Sequence, residues 1–382
     1  MASRAPSQGG RARREDSVVY VGVEAAKAKH AIAIAEGGRS GEVRYVGEIE
    51  ATPAAVERFG RKLERKDPRL PFCSEAGPTG YGLDRHIVAL GHRCEVVAPS
   101  LVPRRPGDHV KTNRRDAITL ARLLRAGELS GIWGPDAVHE AVRDLVRVRS
   151  AAGEDLRKKR QQWLSFLLRH GRVFTGRRSW GPAHTRGLAA QKFDHPALQI
   201  VVQDQVDAIT DAWRRRERLD AQLAELVPTG SMAPVVSADQ ALRGVSFLVA
   251  VTFASEVGDG RRFDSPRQLM AFMGLVPSER STGDTVRRGG LTLAGHRRAR
   301  RVRVEGAWSS RHPARVTETM RVRLEGLPKV VREIAWKGQT RLCTRSRPMG
   351  GTGQKAPIVG AAIARERVAF LWAMGRPGAP AP

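Results

Sequence analysis

Apolar and polar positions along the chain follow three regimes. From residue 17 to 98, short runs of β-branched and apolar residues dominate: 17–23 (SVVYVGV), 31–35 (AIAIA), 43–46 (VRYV), 70–74 (LPFCS) and 94–98 (CEVVA). Such runs predict strands, with Gly37-Gly38 as turn material between the second and the third. The first three follow one another with no helix between them, which suggests an antiparallel meander. Pro53 sits where a first helical turn tolerates proline and opens a helix to about Arg65, and a second helix spans Tyr81 to Leu90. Three strands followed by alternating helix and strand describe an α/β sheet of mixed direction.

After the proline-rich loop from Pro99 to Gly107 the period lengthens. A helix is predicted from Asp116 to Ala126, with Ile118, Leu120, Ala121 and Leu124 apolar. Residues 136–171 contain no proline and carry Leu145, Val148, Ala152, Leu156, Trp163 and Leu167 at helical spacing. Residues 197–227 repeat that style with Val202, Val206, Ile209, Trp213, Leu219, Leu223 and Leu226. Two long amphipathic helices joined by a loop fit an antiparallel hairpin or coiled coil, and equally an ordinary helical domain. A third segment, mainly helical, has an apolar helix from Phe247 to Ala254. A helix start follows at Asp264-Ser-Pro-Arg-Gln-Leu, capped by Asp264 or Ser265 and ended by Gly274-Leu-Val-Pro. Gly350 to Gly353 reads as a flexible break and 375–382 as a disordered tail. The predicted divisions are a disordered basic arm (1–16), an α/β domain (17–130), a helical or coiled-coil domain (131–234), a C-terminal domain (235–345) and a helix with flexible tail (346–382).

A chain of 382 residues that is 41% hydrophobic holds two or three domains and is not wholly disordered. No apolar run approaches the ~20 residues that cross a bilayer, and the basic N-terminus has no apolar stretch behind it. Three cysteines (Cys73, Cys94, Cys343) without a CxxC pair exclude a disulfide framework and argue against zinc. The expectation is a soluble, cytoplasmic protein. Charge changes the picture most: 66 Lys and Arg against 39 Asp and Glu leave +27. Basic clusters recur at Arg114-Arg115, Arg157 to Arg160, Arg214 to Arg216 and Arg297 to Arg303, which points to a polyanion and to salt-dependent binding by counterion release. Membrane-surface binding fits poorly, because no stretch pairs a basic face with a strong apolar one. The seven tryptophans are scattered, as core or interface anchors would be.

Within this basic chain a few acids fall at informative places. Glu24 ends the first predicted strand, Glu75 the fourth, and Asp116 begins a helix just after the fifth. Strand ends at one edge of a mixed sheet converge, so these three can meet, and Asn113 lies three residues before Asp116 on the same helical face. Oxygen ligands among basic residues suit Mg²⁺ acting on phosphodiesters, with two metals clamping attacking and leaving oxygens; as solvent-facing caps the same residues would do nothing chemical.

These residues also carry a resemblance. Val21-Gly-Val-Glu24-Ala-Ala-Lys, Glu75-Ala-Gly-Pro-Thr-Gly-Tyr and Lys111-Thr-Asn-Arg-Arg-Asp116-Ala resemble motifs of the insertion-sequence transposases of the "IS one-ten" family, the Piv/MooV-like recombinases. Gly244-Val-Ser, Glu256-Val-Gly-Asp and Gly274-Leu-Val-Pro-Ser-Glu-Arg-Ser281-Thr282-Gly283, with the Arg-Arg-Gly-Gly-Leu-Thr-Leu-Ala-Gly after it, look like the same family's C-terminal domain. The resemblance runs in order from about residue 18 to 340. It implies a RuvC-like, RNase H-like domain over 17–130, a coiled-coil segment, and a C-terminal transposase domain bearing a serine nucleophile. It further implies Mg²⁺ or Mn²⁺, donor and target DNA, a structured noncoding "bridge" RNA, assembly as a dimer or tetramer, and a nucleoid-associated bacterial location.

Carried over by position, the metal places are Glu24, Glu75, Asn113 and Asp116. The chain departs from the family at Glu24 and Asn113, where aspartates are usual. An amide ligates without charge, and one extra methylene moves a carboxylate by more than 1 Å, a misplacement that can lower a rate ~10²-fold. The family serine stands directly before a glycine, the place Thr282 occupies here, with Ser281 one residue earlier. Either hydroxyl needs activation, and the extra methyl of threonine stiffens and crowds it. Candidate phosphate contacts are Arg104, Arg105, Lys111, Arg114 and Arg115 near the acids, and Arg287, Arg288, Arg297, Arg298, Arg300 and Arg301 near the hydroxyls. A catalytically weakened or inactive relative that keeps nucleic-acid binding is the second reading. A sugar-kinase or actin-like ATPase would need glycine-rich phosphate loops, which the later strands lack. A plain junction-resolving nuclease would have no need of the C-terminal third.

Overall fold

Alternation in the second strand sets the layering of the N-terminal sheet. In Lys29–Glu36 (KHAIAIAE), Ile32 and Ile34 point to one face while Ala31, Ala33 and Ala35 point to the other, and all five are buried. The computed structural model describes residues 18–38, 40–64, 70–77, 79–103, 110–174, 176 and 179–376. Contacts divide the chain into two units, Met1–Asp136 and Ala137–Pro382. The basic arm 1–16, Arg104, Arg105 and residues 377–382 of the tail lie outside the described residues.

In the first unit the strands are β1 (Val19–Ala25), β2 (Lys29–Glu36) and β3 (Val43–Glu50), followed by helix α1 (Pro53–Glu64), β4 (Pro71–Glu75), α2 (Gly80–Ala89) and β5 (Arg93–Val97). The sheet order is β3-β2-β1-β4-β5. The first three strands pair antiparallel as a meander, whereas β4 runs parallel to both β1 and β5, so the sheet is mixed. Its larger-residue face packs Val21, Val23, Ile32, Ile34 and Phe72 against Val56, Phe59 and Leu63 of α1 and Leu83 and Ile87 of α2. The alanine face receives α3 (Asn113–Ala126) through Ala117 and Ala121. Small residues on both sides permit close approach. A Cβ at Gly22 would stand 2.4 Å from the Ala117 carbonyl oxygen and from the Ala121 nitrogen, so only glycine fits there.

The start of α3 comes three residues earlier than the apolar pattern suggested. Thr112 caps it, its side chain accepting from the Arg115 N–H, so Asn113 is the first helical residue and Asp116 closes the first turn. Gly127, at φ +68°, ends it in the left-handed conformation.

The second unit is mainly helical. It comprises α4 (Ala137–Arg169), α5 (Pro182–Ala189), α6 (Pro196–Leu226), α7 (Ala233–Gln240), α8 (Phe247–Val257), α9 (Pro266–Phe272), the strands β6 (Pro277–Glu279) and β7 (Arg288–Leu291), α10 (Arg297–Ala307), α11 (Glu318–Leu324), α12 (Lys329–Gly351) and α13 (Ala356–Met374). The long helices α4 and α6 pack along one another through Leu156, Trp163, Phe166, Leu167, Val202, Ile209 and Ala212, the face predicted by their period. Trp213 and Val148 fall off that face and are exposed. The apolar helix α13 is buried almost all round, with Ile363, Val368 and Phe370 in one core with Leu242, Val251 and Met273. Gly350 and Gly351 continue α12 rather than breaking it, and the chain turns only between 352 and 355. Among the described residues, no helix is long and apolar enough to cross a membrane.

Candidate active-site residues in two units

In the first unit, parallel pairing of β1 with β4 brings acids together. The register reaches Val23↔Ser74, so the next residues, Glu24 and Glu75, lie side by side at the C-terminal ends of these two strands. Asp116 joins them because α3 is seated on β1 over Gly22. The electrostatics record the meeting. Burial, then the charges of Glu75 and Asp116, push the Glu24 carboxyl up to about 7, opposed by Lys111. Lys111 places its Nζ 4.0 Å from Glu75 Oε2. Oε2 of Glu24 and Oδ2 of Asp116 are buried without a hydrogen-bond partner, a condition buried acceptors rarely tolerate. Asn113, the fourth residue of the pattern, is exposed at the head of α3 and brings no charge.

Among the described residues no three His, Cys, Asp or Glu side chains form a ready-made metal cage. The donor chemistry nevertheless fits a hard divalent cation: two orphaned carboxylate oxygens with a third carboxylate beside them suit Mg²⁺, which takes one or two carboxylates and keeps several waters. Glu24, Glu75 and Asp116 are the residues that would hold it.

In the second unit, Ser281 and Thr282 lie on a β-hairpin, an element the hydrophobic pattern does not mark. β6 and β7 pair antiparallel with Glu279 opposite Arg288. The ladder continues through a hydrogen bond from the Arg280 N–H to the Arg287 carbonyl (2.9 Å) and a reciprocal pair between Thr282 and Thr285 (3.1 and 3.2 Å). Two residues, Gly283 and Asp284, close the turn. Gly283 takes φ +57°, the conformation a two-residue hairpin demands at its first position. The glycine that follows the two hydroxyl residues is therefore a turn residue. Ser281 Oγ donates to Glu279 Oε1 at 2.8 Å, and Arg288 Nε lies 3.3 Å from Glu279 Oε2. The Ser281 hydroxyl and the Arg288 guanidinium hold the Glu279 carboxyl below its ordinary range. Glu279 was missed by sequence reasoning, although its i, i+2 relation to Ser281 was a usable signal once a strand was assumed.

The basic residues divide by what they touch. Arg297 is exposed at the start of α10 and Arg287 on the hairpin, whereas the half-exposed Arg298 places its Nε 3.9 Å from Glu256 Oε1. Arg300, expected on phosphate, instead turns partly inward: its Nη1 donates to the carbonyls of Met273 (2.8 Å) and Leu293 (3.1 Å). Arg301 pairs with Glu305 at 2.8 Å and Glu154 at 3.5 Å. Arg114 lies over the Tyr45 ring, and Arg115 donates to the Val110 carbonyl.

A buried carboxylate that the sequence reading gave no role organises this unit. Glu256 of α8 receives a two-pronged contact from Arg147 of α4, Nε–Oε1 3.0 Å and Nη2–Oε2 2.8 Å. His296 Nε2 stands 3.3 Å away and Arg143 Nε 3.7 Å. Burial alone would raise this carboxyl, but His296 and Arg147 outweigh it and bring it down to about 2. Nearby, Arg303 is fully buried, bonded to Asp239 at 2.6 Å and stacked 3.6 Å over Phe253. Arg367 is buried as well, with Ser310 Oγ 3.0 Å from its Nη2.

Comparison with known proteins places the chain in a class, the DNA transposases. Residues 240–321 match the family described as "Transposase IS116/IS110/IS902 family". Over 368 residues the chain is 54% identical to the transposase-named protein y4qE of Sinorhizobium fredii, covering 96% of this chain and 91% of that one. It is 29% identical over 334 residues to "Transposase for insertion sequence element IS1533" of Leptospira borgpetersenii, covering 85% and 94%. A Pseudomonas aeruginosa "family 20 transposase" is 26% identical over 330 residues, covering 84% and 87%. The chain belongs to the IS116/IS110/IS902 family of insertion-sequence transposases.

Proposed function

We propose that this transposase cuts and rejoins donor and target DNA with two sets of residues: a RuvC-like acid cluster of Glu24, Glu75 and Asp116, and a hydroxyl nucleophile on the 281–282 hairpin. The observation that carries the reading is the acid cluster, in which Glu24 is raised to about 7 by burial and by two further acids while two carboxylate oxygens lack partners. Strand order β3-β2-β1-β4-β5, with an antiparallel meander leading into parallel strands, supports an RNase H-like assignment of the first unit.

When bound, Mg²⁺ or Mn²⁺ would supply charge stabilisation to a phosphodiester undergoing displacement. The chain's own part is distinct. Glu24, Glu75 and Asp116 gather negative charge at strand ends where a rigid ladder and the seat of α3 fix their origins. Lys111, 4.0 Å from Glu75, stands where a phosphate oxygen would approach. A net charge of +27, with Arg297 exposed on α10, favours a polyanion; the partners we propose are DNA and a structured noncoding RNA, in a dimer or tetramer. The α4/α6 pair adds an open groove of about 570 Å³, lined by Lys158, Gln161, Gln162 and Arg169 together with the apolar Phe166 and Val201.

A second reading, a weakened relative that still binds nucleic acid, is favoured by Asn113, exposed and uncharged where a fourth acid is usual. Recombination of donor and target DNA in Mg²⁺, with the element's flanking transcript supplied, tests both. The native chain is compared with a triple variant, Glu24→Asp, Asn113→Asp and Thr282→Ser. Recombination by the native chain supports the first reading; recombination by the triple variant alone supports the second.

A further inference from the structure

We infer that Glu279 is the positioning residue and proton acceptor for Ser281, which makes Ser281, rather than Thr282, the attacking hydroxyl. The inference deepens the proposed function and rests on its reading of the hairpin as nucleophile-bearing.

The register of the hairpin places Glu279 and Ser281 together. Pairing continues from Glu279 opposite Arg288 to Thr282 opposite Thr285, so residues alternate faces along this arm. Glu279 and Ser281 share one face; Arg280 and Thr282 share the other. The contact follows: Ser281 Oγ donates to Glu279 Oε1 at 2.8 Å, while Arg288, across the ladder, holds the other carboxylate oxygen at 3.3 Å. Arg288 thereby turns Glu279 toward the serine and keeps it ionised, ready to accept. On the face of Thr282 the residue two before it is Arg280, and its ladder partner is Thr285. Thr282 is instead held through its backbone, paired both ways with Thr285.

The chemistry balances without a further reagent. The Ser281 Oγ–P bond forms as the bond from phosphorus to a deoxyribose oxygen breaks. The hydroxyl proton passes to Glu279 Oε1, and from that carboxyl it returns to the departing sugar oxygen. The number of phosphoester bonds is conserved, and the second displacement runs the same steps in reverse.

The test is to trap the covalent adduct. The full chain is mixed with donor DNA, transcript and Mg²⁺, quenched in denaturant and digested with trypsin and nuclease. Trypsin releases 281–287 (STGDTVR), and fragmentation locates the nucleotide. The expected result is an adduct on Ser281, lost in Ser281→Ala and retained in Thr282→Ala. Glu279→Gln is expected to slow adduct formation ~10²-fold or more, and Glu279→Asp to restore part of the rate. The pH profile separates a proton acceptor from a mere scaffold. Above about pH 8, where Glu24 is ionised as well, the native rate stays flat because Glu279 is already ionised, whereas Glu279→Gln gains rate with pH as hydroxide takes over. An adduct on Thr282, or a Glu279→Gln profile parallel to the native one, overturns the inference and leaves the proposed function standing. No adduct on either residue, in the native chain and in Glu24→Asp/Asn113→Asp alike, overturns both.

Discussion

Glu24 and Glu256 are both carboxylates removed from much of the solvent, and burial is the largest influence on each, yet they end at opposite extremes. Glu24 is raised to about 7 and Glu256 lowered to about 2. The difference lies in their company. Glu24 sits at strand ends with Glu75 and Asp116, and Lys111 opposes them. Glu256 sits between helices with Arg147, His296 and Arg143. A buried carboxylate completed by the protein ties elements together; one left incomplete, beside further acids, is where we propose that a divalent cation binds.

The sharpest way to break the comparison is to break the clamp. Glu256→Gln leaves Arg143 and Arg147 buried or half-buried against a neutral group. It is expected to cost about 3–5 kcal/mol in denaturant unfolding, and Arg147→Met somewhat less. Next in size, Glu75→Gln or Asp116→Asn lowers Mg²⁺-dependent recombination at least ~10²-fold with little loss of stability, because each removes a charge from a site of excess like charge. Expression, unfolding midpoint and recombination assay together distinguish the two outcomes.

The pH dependences have opposite signs. The folded pKa of Glu256 is depressed, so its contribution to stability is present above the unfolded value near 4.5 and is lost as pH falls toward 2. The folded pKa of Glu24 is raised, so the native state binds the extra proton between about 4.5 and 7 and stability falls as pH rises through that window. Millimolar Mg²⁺ at pH 8 is expected to raise the melting temperature of the native chain by relieving that repulsion, and to have no such effect on Glu24→Gln. The smallest change is expected at Arg367, a buried guanidinium held down to about 9 by burial and by Arg303. With hydroxyls rather than an acid as its hydrogen-bond partners, Arg367→Met should shift stability by no more than ~1 kcal/mol, since removing its desolvated charge offsets the lost contacts.

The two units also differ in how much of each could be read from the chain. Strands such as AIAIA are short, apolar and bounded by turn residues, and the meander followed from their order. The convergence of Glu24, Glu75 and Asp116 was legible for the same reason, since strand ends at one edge of a sheet must meet. The hairpin at 277–291 was not legible. Its strands are three and four residues long with no residue buried, so no hydrophobic alternation marks them. The partners of Glu256 were invisible too: Arg147 lies 109 residues away, and nothing local distinguishes it from the other arginines.

The sequence by itself determined the periods of the elements, the excess of positive charge, the order of the motifs and the glycines where backbones touch or turn. These are properties of residues and their near neighbours, set by sterics and the separation of apolar from polar surface. Only the tertiary structure decided which charges are completed and which are not. The pKa of a carboxylate depends on what stands within a few ångströms of it, and in a chain with arginine throughout, that is settled by packing.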